Sequence, residues 1–470
     1  MRGNPRIAVL LLVTASLLFY GWWNPSYLSL IIISIIFNYW NSRLIADSTG
    51  KARRLYAALG ITANLLLLGY FKYANFFVEN FNFIFSGPSF DLGTIVLPLA
   101  ISFFTFQQIA FIVDTYKGEV HEHSFLDYCL FVTFFPQLIA GPIVHHKEIL
   151  PQFKVTKTIS ENQRFISIGI TVFVLGLFKK VVVADTVAEF ATPVFSFAEL
   201  NYSMSFAEAW TGAVAYTLQL YFDFSGYSDM AIGIAFMFGI NLPLNFNSPY
   251  KATSIVDFWR RWHMTLSRFL REYLYIPLGG NRKGKTRRLV NLMLTMVLGG
   301  LWHGAGWTFV FWGALHGFYL VVNHGWRIVM IKSGHPKLMP EFVRRNVSWL
   351  LTFIAVLVSW VFFRAETFQG AVNILAAMSL AGNDLPIANG ASFISFPSNL
   401  IENPMEVWVL FISLLIFVRY SPNTLEWVSS KGSNMYFWSG RTVDAIAIAL
   451  LFAISIFHIQ SYSEFLYFQF

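Results

Sequence analysis

The sequence is poor in charge: Asp, Glu, Lys and Arg make up only 12% of its 470 residues. Soluble globular proteins carry about 25%. Hydrophobic residues make up 56% of the chain, and the mean hydropathy is +0.55. A chain of this size with so little polar surface is not predicted to be soluble. Its apolar windows recur from end to end, which is typical of a polytopic membrane protein.

Cysteine is almost absent, and so are the common nucleotide and hydrolase motifs. Cys129 is the single cysteine, which excludes an intramolecular disulfide and a Cys-x-x-Cys metal site. The sequence has no Walker A loop, no Gly-x-Ser-x-Gly, no His-Glu-x-x-His and no dinucleotide-binding glycine motif. These absences argue against an ATP-driven pump and a serine-hydrolase fold. The net charge of +8 fits basic cytoplasmic loops and does not imply a nucleic-acid partner.

Twelve apolar windows have the length to cross or enter a bilayer, where a full crossing takes roughly 20 apolar residues. The window 208–240 has room for two helices, so we expect eleven to fourteen membrane segments in one all-α domain over residues 1–470. No small-residue cleavage site follows the first window, which predicts an uncleaved helix. The windows are 7–23, 27–41, 55–72, 94–113, 126–143, 165–186, 208–240, 288–303, 307–326, 345–363, 405–420 and 441–460.

Basic residues are clustered, and two long stretches, 187–207 and 365–404, contain none. The positive-inside rule predicts that the clusters lie in the cytoplasm and that much of both stretches lies outside. The basic clusters are at residues 2–6, 43–54, 260–288 and 327–345.

The stretch 256–288, VDFWRRWHMTLSRFLREYLYIPLGGNRKGKTRR, combines aromatic and basic residues. On a helical wheel at about 100° per residue, Trp, Phe and Leu share one arc and the arginines share the other. His263 falls at the border. The pattern predicts a helix that lies on the cytoplasmic interface. It leaves open whether this helix only anchors the chain or also closes one mouth of a site and presents His263 to it.

The stretch 289–322 has no acidic or basic residue, yet it contains His303 and His316. Each is the fourth residue of a G-x-x-x-G, a spacing that lets helices approach closely in lipid. Gly304 and Gly306 are expected to loosen the helix just after His303. Ionisable residues at membrane depth usually face the protein interior or a wet cavity. A functional role is favoured for His303, with a packed neutral histidine as the alternative, which is the favoured interpretation of His316.

The segment FDFSGYSDMAIG, 222–233, places Asp223 and Asp229 in an apolar context. Its Ser-Gly-Tyr-Ser centre predicts a helix break with polar side chains pointing inward. The favoured interpretation is that these groups satisfy one another and freed backbone groups. Direct catalysis and the orientation of a histidine are the alternatives.

Four further histidines are candidate metal ligands. The run 134–153 is cut by Pro136 and Pro142 and predicts a re-entrant or terminated helix before His145 and His146. These adjacent residues would point apart on a helix, which argues against a metal site. A second pair, in GEVHEHS, is better spaced to share a ligand but lacks a visible third partner. That pair is His121 and His123.

Six segments carry a more specific signal: LPLAISFFTFQQIAFIVDTYKG (97–118), FFPQLIAGPI (134–143), YFDFSGYSDMAIGIAFMFGINLPLNFNSPY (221–250), DFWRRWHMTLSRFLREYLYIPLGGN (257–281), LGGLWHGAGWTFVFWGALHG (298–317) and FLYFQF (465–470). Together they resemble the membrane-bound O-acyltransferase family, and within it the branch of bacterial alginate O-acetylation membrane proteins. The membrane acyltransferase of teichoic-acid D-alanylation is a more distant relation. The resemblance covers nearly the whole chain.

The sequence departs from the family pattern in two places. Relatives often start with one more membrane helix, and the first window resembles their second, which leaves the helix count and the start site open. Ala100 stands where LPLGISFFTFQ usually has glycine, which we expect to be a mild change on a helix.

The resemblance implies a multi-helix fold with a funnel or tunnel through the bacterial inner membrane, pinched at a histidine. His303, in the matching WHG motif, would be the catalytic residue, and His263, in RRWHMTLS, the second family histidine. Transfer from a thioester to a hydroxyl needs a base and a group that stabilises the oxyanion. Histidine suits the first task because its reference pKa is about 6.5. His303 would be the base or would orient the reacting groups, and His263 would help to seat the donor at the cytoplasmic entrance.

The resemblance also implies acetyl-CoA as acyl donor, with no bound cofactor or metal. Four arginines on the basic arc of 256–288 would attract its phosphates or contact lipid headgroups instead. Asp223, Asp229 and His316 are further candidates for orienting or donor-binding roles. The arginine candidates are Arg260, Arg261, Arg268 and Arg271.

The implied partners are membrane lipid and a periplasmic or membrane-anchored acetyltransferase that completes transfer to a polysaccharide such as alginate. The immediate acceptor could be that partner, a small carrier or the sugar itself. Two other classes remain open at this point. One is a transporter that moves an acyl carrier or sugar without forming a bond, and the other is a scaffold of a secretion complex.

Overall fold

The computed structural model describes residues 5–85, 89–120, 124–154, 159–332, 340–379, 404–428, 441–459 and 466. All regular structure in these ranges is helical, which confirms the all-α prediction. The helices are α1 (Pro5–Trp23), α2 (Ser26–Asp47), α3 (Gly50–Leu68), α4 (Ala74–Ile84), α5 (Ile101–Lys117), α6 (Phe125–Thr133), α7 (Phe135–Leu138), α8 (His146–Ile149), α9 (Ile159–Phe178), α10 (Asp185–Glu199), α11 (Phe206–Met237), α12 (Ile255–Trp259), α13 (Met264–Leu270), α14 (Gly284–His303), α15 (Trp307–Lys332), α16 (Glu341–Arg364), α17 (Phe368–Met378), α18 (Pro404–Tyr420), α19 (Thr424–Val428) and α20 (Thr442–Phe457).

Each predicted apolar window coincides, in whole or in part, with one or more of these helices. Within the described ranges, four helical stretches are long and apolar enough to cross a membrane, which makes the chain a multi-pass membrane protein. The expected total of eleven to fourteen membrane segments stays a prediction. The four stretches are Ser26–Asp47, Gly50–Ile84, Glu161–Glu199 and Glu341–Arg364.

The chain forms two compact units. One comprises residues 1–173 with 230–243, and the other comprises residues 174–229 with 244–470. Both α9 and α11 contribute residues to each unit.

Buried amides join α2, α3 and α5 in the first unit. Asn64 Nδ2 donates to Asn38 Oδ1 at 2.6 Å, and Asn38 Nδ2 donates to Asn64 Oδ1 at 3.2 Å. Gln108 Nε2 on α5 donates to Ser34 Oγ on α2 at 2.9 Å. Polar side chains hydrogen-bond across helices in this way where lipid offers no partner. These pairs therefore set how the three helices face one another.

The start of α5 corrects the expectation for Ala100. This residue is the N-cap, not a residue within the helix, and its φ of 61° and ψ of 11° are left-handed. Its carbonyl accepts from Phe103 N at 2.9 Å and Phe104 N at 3.1 Å. The left-handed conformation costs an L residue about 1–2 kcal/mol and costs glycine little. The alanine therefore carries backbone strain that a glycine would relieve.

The predicted interruption near Pro136 is confirmed. Helix α6 ends at Thr133, and Pro136 lies in the first turn of the four-residue helix α7. Gly141 follows, where a Cβ atom would lie only 2.4 Å from Gln137 Cα. Proline suits the first turn, where an N–H has no helical partner.

The core of the second unit is built from aromatic rings. Trp312 on α15 and Trp360 on α16 stack with ring centroids 5.7 Å apart and an interplanar angle of 19°. Phe258 on α12 stacks on Trp262 at 5.7 Å and 16°. Such pairs contribute about 0.5–1.5 kcal/mol beyond the burial of their surface. This ring cluster fixes the helices around the candidate site.

The predicted break in 222–233 is wrong, because α11 runs without interruption from Phe206 to Met237. Gly226 serves close packing instead of a turn. A Cβ atom on Gly226 would lie 2.7 Å from the carbonyl oxygen of Gly176 on α9. The two helices therefore approach backbone to backbone.

The continuous interfacial helix predicted for 256–288 is also wrong. Helices α12 and α13 are short, and Arg260–His263 separates them, with His263 at a left-handed φ of 41°. A wide π-helical turn, Arg271–Tyr275, follows α13. The predicted division into an apolar and a basic side still holds at three of its residues. Phe258 and Leu266 are buried, while Arg260 is exposed.

The two stretches without basic residues contact each other through α10 and α17. Glu199, the last residue of α10, accepts at Oε1 from Glu366 N at 2.8 Å and Thr367 N at 3.2 Å. Thr367 Oγ1 donates to Glu199 Oε2 at 2.6 Å. A carboxylate at a helix N-terminus satisfies N–H groups that have no helical partner. This contact requires the end of α10 and the start of α17 to lie on one side of the membrane, and the prediction that this side is the outside stays a prediction.

Candidate active site

His303 lies where a helix ends. Helix α14 ends at His303, and Gly304 is extended, with φ −157° and ψ 148°. A Cβ atom on Gly304 would lie 2.2 Å from the ring of Phe309, so only glycine fits there. The expected loosening after His303 is confirmed. His303 is half-buried, and the chain leaves the helix directly after it.

Glycines bring α14 and α15 into backbone contact around this histidine. A Cβ atom on Gly300 would lie 2.3 Å from Phe309 O, and one on Gly313 would lie 2.3 Å from Met296 O. The close approach predicted from the G-x-x-x-G spacing is therefore confirmed. It fixes the register of His303 against the rings of α15.

Rings enclose the His303 imidazole. Its ring centroid lies 5.0 Å from that of Trp302, 5.2 Å from Trp312 and 5.2 Å from Phe363. The fourth ring is His263, at 6.3 Å. Two histidines, 40 residues apart in sequence, thus share one aromatic enclosure in which a low dielectric strengthens electrostatic interactions.

His263 enters this enclosure from the break between α12 and α13. Its side chain is buried, with only 4% of the residue exposed. Burial lowers the pKa of the His263 imidazole, so the ring is neutral at neutral pH. A neutral imidazole can accept a proton or a hydrogen bond at one nitrogen only.

His316 is a fully buried neighbour whose two ring nitrogens are both bonded. Trp259 Nε1 donates to His316 Nδ1 at 3.2 Å, and Ser359 Oγ lies 2.9 Å from Nε2. Ser359 Oγ donates its own proton to Val356 O at 2.6 Å. The Nε2 atom of His316 must therefore carry the proton and donate it. This pattern supports the expectation of a packed, neutral histidine.

The ring of Trp312 lies between the two histidines of α14 and α15. Its centroid is 5.2 Å from that of His303 and 4.8 Å from that of His316. Trp259, which His316 holds, lies 5.9 Å from Trp312. His316 thus contacts Trp259 and Trp312 and does not touch His303 in the described contacts.

A cavity of about 360 Å³ has Trp259 in its lining. Arg260, Arg271 and Arg288 line it, and none of its described lining residues is acidic. The Nε atom of Arg288 is buried without a hydrogen-bond partner among the described residues. Three guanidinium groups around one cavity without a carboxylate favour an anionic ligand.

The structure sorts the predicted arginines. Arg260 and Arg271 line the cavity. Arg261 does not line it. Instead, Arg261 Nε donates to Asp257 Oδ1 at 2.9 Å and Nη1 donates to Asn247 O at 3.2 Å. Arg268 is not among the lining residues either. Arg288 was not among the predicted phosphate-binding arginines, although it lies in the basic run NRKGKTRR.

Asp223 and Asp229 pair with lysines, not with each other. Lys179 Nζ lies 2.6 Å from Asp229 Oδ2, and Lys180 Nζ lies 2.8 Å from Asp223 Oδ1. Thr424 Oγ1 donates to Asp229 at 2.6 Å. We expected the polar groups of 222–233 to satisfy one another, and this is wrong, because both carboxylates are paired with lysines of another segment. The adjacent lysines inside the apolar window 165–186 were the signal that could have found it.

The side chains of His145 and His146 are not arranged as predicted. His145 is the extended N-cap of α8, so His145 and His146 do not point apart. Both approach Asp114 Oδ2, with Nδ1 at 3.8 Å and 3.4 Å respectively. Within the described ranges no group of three or more His, Cys, Asp or Glu residues could hold a metal ion. His121 and His123 lie outside the described residues.

Comparison with known proteins places the chain in a family. Residues 59–361 match the model of MBOAT, the membrane-bound O-acyltransferase family. The chain belongs to the membrane-bound O-acyltransferase family, which confirms the resemblance in its sequence. It is therefore an O-acyltransferase and not a transporter that forms no bond or a scaffold without activity.

Three relatives show the range of the similarity. The chain is 43% identical to the peptidoglycan O-acetyltransferase of Helicobacter pylori, with 99% of this chain and 92% of the relative covered. It is 40% identical to the probable alginate O-acetylase AlgI of Pseudomonas putida, over 100% of this chain and 96% of the relative. It is 29% identical to the teichoic acid D-alanyltransferase of Streptococcus thermophilus, over 48% and 57%.

Proposed function

We propose that this protein moves an acetyl group from cytoplasmic acetyl-CoA across the membrane for O-acetylation of a glycan outside the cytoplasm. The observation that carries the proposal is the pairing of His303 and His263, with rings 6.3 Å apart, in an aromatic enclosure at the end of α14. Two imidazoles held at a helix break in a membrane enzyme are suited to proton transfer.

His303 serves as the base. It takes the proton of the acceptor hydroxyl as that oxygen bonds to the thioester carbonyl carbon. The carbon–sulfur bond then breaks, and the imidazolium returns the proton to the leaving thiolate. Proton transfer by a positioned base typically contributes about 10²–10⁴-fold to the rate. His263 seats the donor beside it.

The arginine-lined cavity binds the phosphates of the donor. Thr295 lines this cavity and precedes His303 by eight residues on α14, which is about 12 Å along a helix axis at 1.5 Å per residue. Acetyl-CoA carries its phosphates and its thioester at opposite ends of a flexible arm. An anion site set back from the histidines therefore matches the shape of this donor, while lipid headgroup phosphates are the competing occupant.

The acceptor is a polysaccharide such as alginate, reached through a periplasmic or membrane-anchored acetyltransferase partner. The relative named alginate O-acetylase supports this choice. Peptidoglycan is the second candidate, which the relative named peptidoglycan O-acetyltransferase supports at 43% identity.

Acetyl ester measured separately on extracellular polysaccharide and on peptidoglycan distinguishes these acceptors. Cells that lack the chain should lose ester from one fraction, and the wild-type chain should restore it. Loss from the polysaccharide supports the first acceptor, and loss from peptidoglycan replaces it with the second. No loss from either fraction would contradict the proposed function.

The donor and the partner need a reconstituted system. Proteoliposomes with acetyl-CoA on the cytoplasmic face should form no ester on added glycan until periplasmic extract is supplied. Ester formation without extract would remove the partner from the proposal. If acetyl-CoA were consumed neither with nor without extract, acetyl-CoA would be removed from the proposal as donor.

A further inference from the structure

His263 occupies a strained backbone position that its surroundings impose. Its φ of 41° and ψ of 54° are left-handed, a conformation that strains a non-glycine residue. Two backbone hydrogen bonds bracket it: Asn247 N donates to Arg261 O at 2.9 Å, and Met264 N donates to Asn245 O at 2.9 Å. The segment before α12 thus clamps the turn that carries the histidine. Strain maintained in this way is frequent at functional sites.

The side chain of Asn245 reaches the same turn. Its Oδ1 atom accepts from Thr265 Oγ1 at 2.9 Å and from Thr265 N at 3.3 Å. A backbone N–H can only donate, so the atom that faces it must be the amide oxygen and not the nitrogen. On its other side the amide nitrogen donates to Ser228 Oγ at 3.4 Å. The orientation of this amide is therefore determined by its partners.

The orientation of Asn245 decides which nitrogen of His263 carries the proton. His263 Nδ1 lies 3.1 Å from Asn245 Oδ1. Because Oδ1 only accepts, Nδ1 must be protonated and donate. In a neutral imidazole the other nitrogen, Nε2, then bears the lone pair. Nε2 has no hydrogen-bond partner among the described residues, so it is left for the substrate.

We propose that Asn245 is a positioning residue that holds His263 in its Nδ1–H tautomer, so that Nε2 accepts a hydrogen bond or a proton from the substrate beside His303. The inference rests on the proposed function, since it requires the histidine pair to be the reaction site. It assigns His263 an acceptor role in the resting enzyme. A donor role toward the thioester carbonyl is excluded for that tautomer.

Charge at position 245 provides the test. Asn245→Asp keeps the accepting oxygen and places a negative charge beside Nδ1–H, which favours the imidazolium. Activity that needs a neutral His263 is lost as the pH falls through its pKa. The acid limb of the pH–rate profile should therefore move to higher pH by about 1–3 units. Among the described ring and hydrogen-bond contacts of His263, the titratable group is His303, whose ring lies 6.3 Å away and within reach of the new charge. The Thr265 variants, which add no charge, are therefore measured alongside.

Asn247→Asp is the matched control. It adds the same charge two residues away, where the side-chain oxygen accepts from Asn423 Nδ2 at 2.9 Å and no contact with His263 is described. Membranes that contain the full chain and radiolabelled acetyl-CoA supply the rates. A shift in Asn245→Asp but not in Asn247→Asp supports the proposal. An active Asn245→Asp with the wild-type profile overturns it.

Thr265 variants keep the test decisive if Asn245→Asp does not accumulate. Thr265→Val removes the hydroxyl that holds Asn245 Oδ1, while Thr265→Ser retains it. We expect Val to lower kcat by about 10-fold or more at normal membrane levels, because a displaced histidine loses part of the roughly 10²–10⁴-fold that a positioned one contributes. Ser should restore the rate. Equal, wild-type rates for both would overturn the proposal.

The failure of the proposed function has a different signature. Full activity in both His263→Ala and His303→Ala would contradict the site itself. An inactive His263→Ala together with an unshifted Asn245→Asp would contradict the tautomer assignment alone.

Discussion

Substitution of Gly313 by alanine tests the contact on which the site is built. A Cβ atom there would lie 2.3 Å from Met296 O, whereas ordinary contacts begin at 3.4 Å. Helices α14 and α15 must therefore separate by about 1 Å or distort. Overpacking of this kind typically costs 1–3 kcal/mol. Because His303 lies on α14 and its neighbour Trp312 on α15, a shift of about 1 Å at the reacting groups can lower the rate about 10²-fold.

Gly325→Ala is the matched control for this substitution. Gly325 lies on the same helix, α15, and a Cβ atom there has nothing within 4 Å. Alanine gains about 1 kcal/mol over glycine at either position, since both lie inside α15. The free energies of unfolding of the two variants should therefore differ by the overpacking cost alone, about 1–3 kcal/mol.

Thermal unfolding in detergent measures stability, and acetyl transfer in membranes measures activity. We expect Gly313→Ala to be less stable than wild type and about 10²-fold slower, and Gly325→Ala to match or exceed wild type in both. If Gly313→Ala were as stable and as active as Gly325→Ala, the backbone contact between α14 and α15 would be refuted.

Three further predictions follow from the structure. Ala100→Gly should raise the free energy of unfolding by up to about 1 kcal/mol, since it relieves the left-handed strain at the start of α5; a lower melting temperature would contradict this. Asp229→Asn should lower it by about 3–5 kcal/mol by leaving the partly buried Lys179 without its carboxylate; Lys179→Met in the same chain should recover part of the loss in a thermal melt. Arg288→Ala should raise the KM for acetyl-CoA with little change in kcat, whereas the exposed Arg287→Ala should leave both unchanged; equal KM values would remove the cavity from the donor site.

The place of His303 in the fold could be predicted from local sequence. Its G-x-x-x-G spacing and the glycines that follow indicate close helices and a helix end, and the structure has both. These properties depend on residues within a few positions of the histidine. Local patterns therefore sufficed.

The partners of the buried groups could not be predicted in the same way. Asp229 pairs with Lys179, 50 residues earlier in the chain, and His263 meets His303, 40 residues later. Periodicity reports which face of a helix is apolar but not which helix lies opposite. Only the resemblance to a family linked the two histidines before the structure did.

The two wrong helix predictions share one physical cause. Gly226 was interpreted as a turn residue, but tertiary packing uses it for a close approach to Gly176 within an unbroken helix. Conversely, residues with good helix propensity around His263 are broken by the clamp from Asn245 and Asn247. In both places long-range contacts override the local preference.

The central claim is that His303 is the reaction centre. Its most direct test is the acetyl ester content of the glycan in cells that carry His303→Ala, at membrane levels equal to wild type and with polymer export measured in parallel. His458→Ala is the control, because this exposed imidazole follows α20 and its hydrogen bond among the described residues is to the carbonyl of Ile454. We predict that His303→Ala abolishes the ester while the polymer is still exported and that His458→Ala retains it. Wild-type ester content in His303→Ala would contradict the account and leave His303 a packing residue.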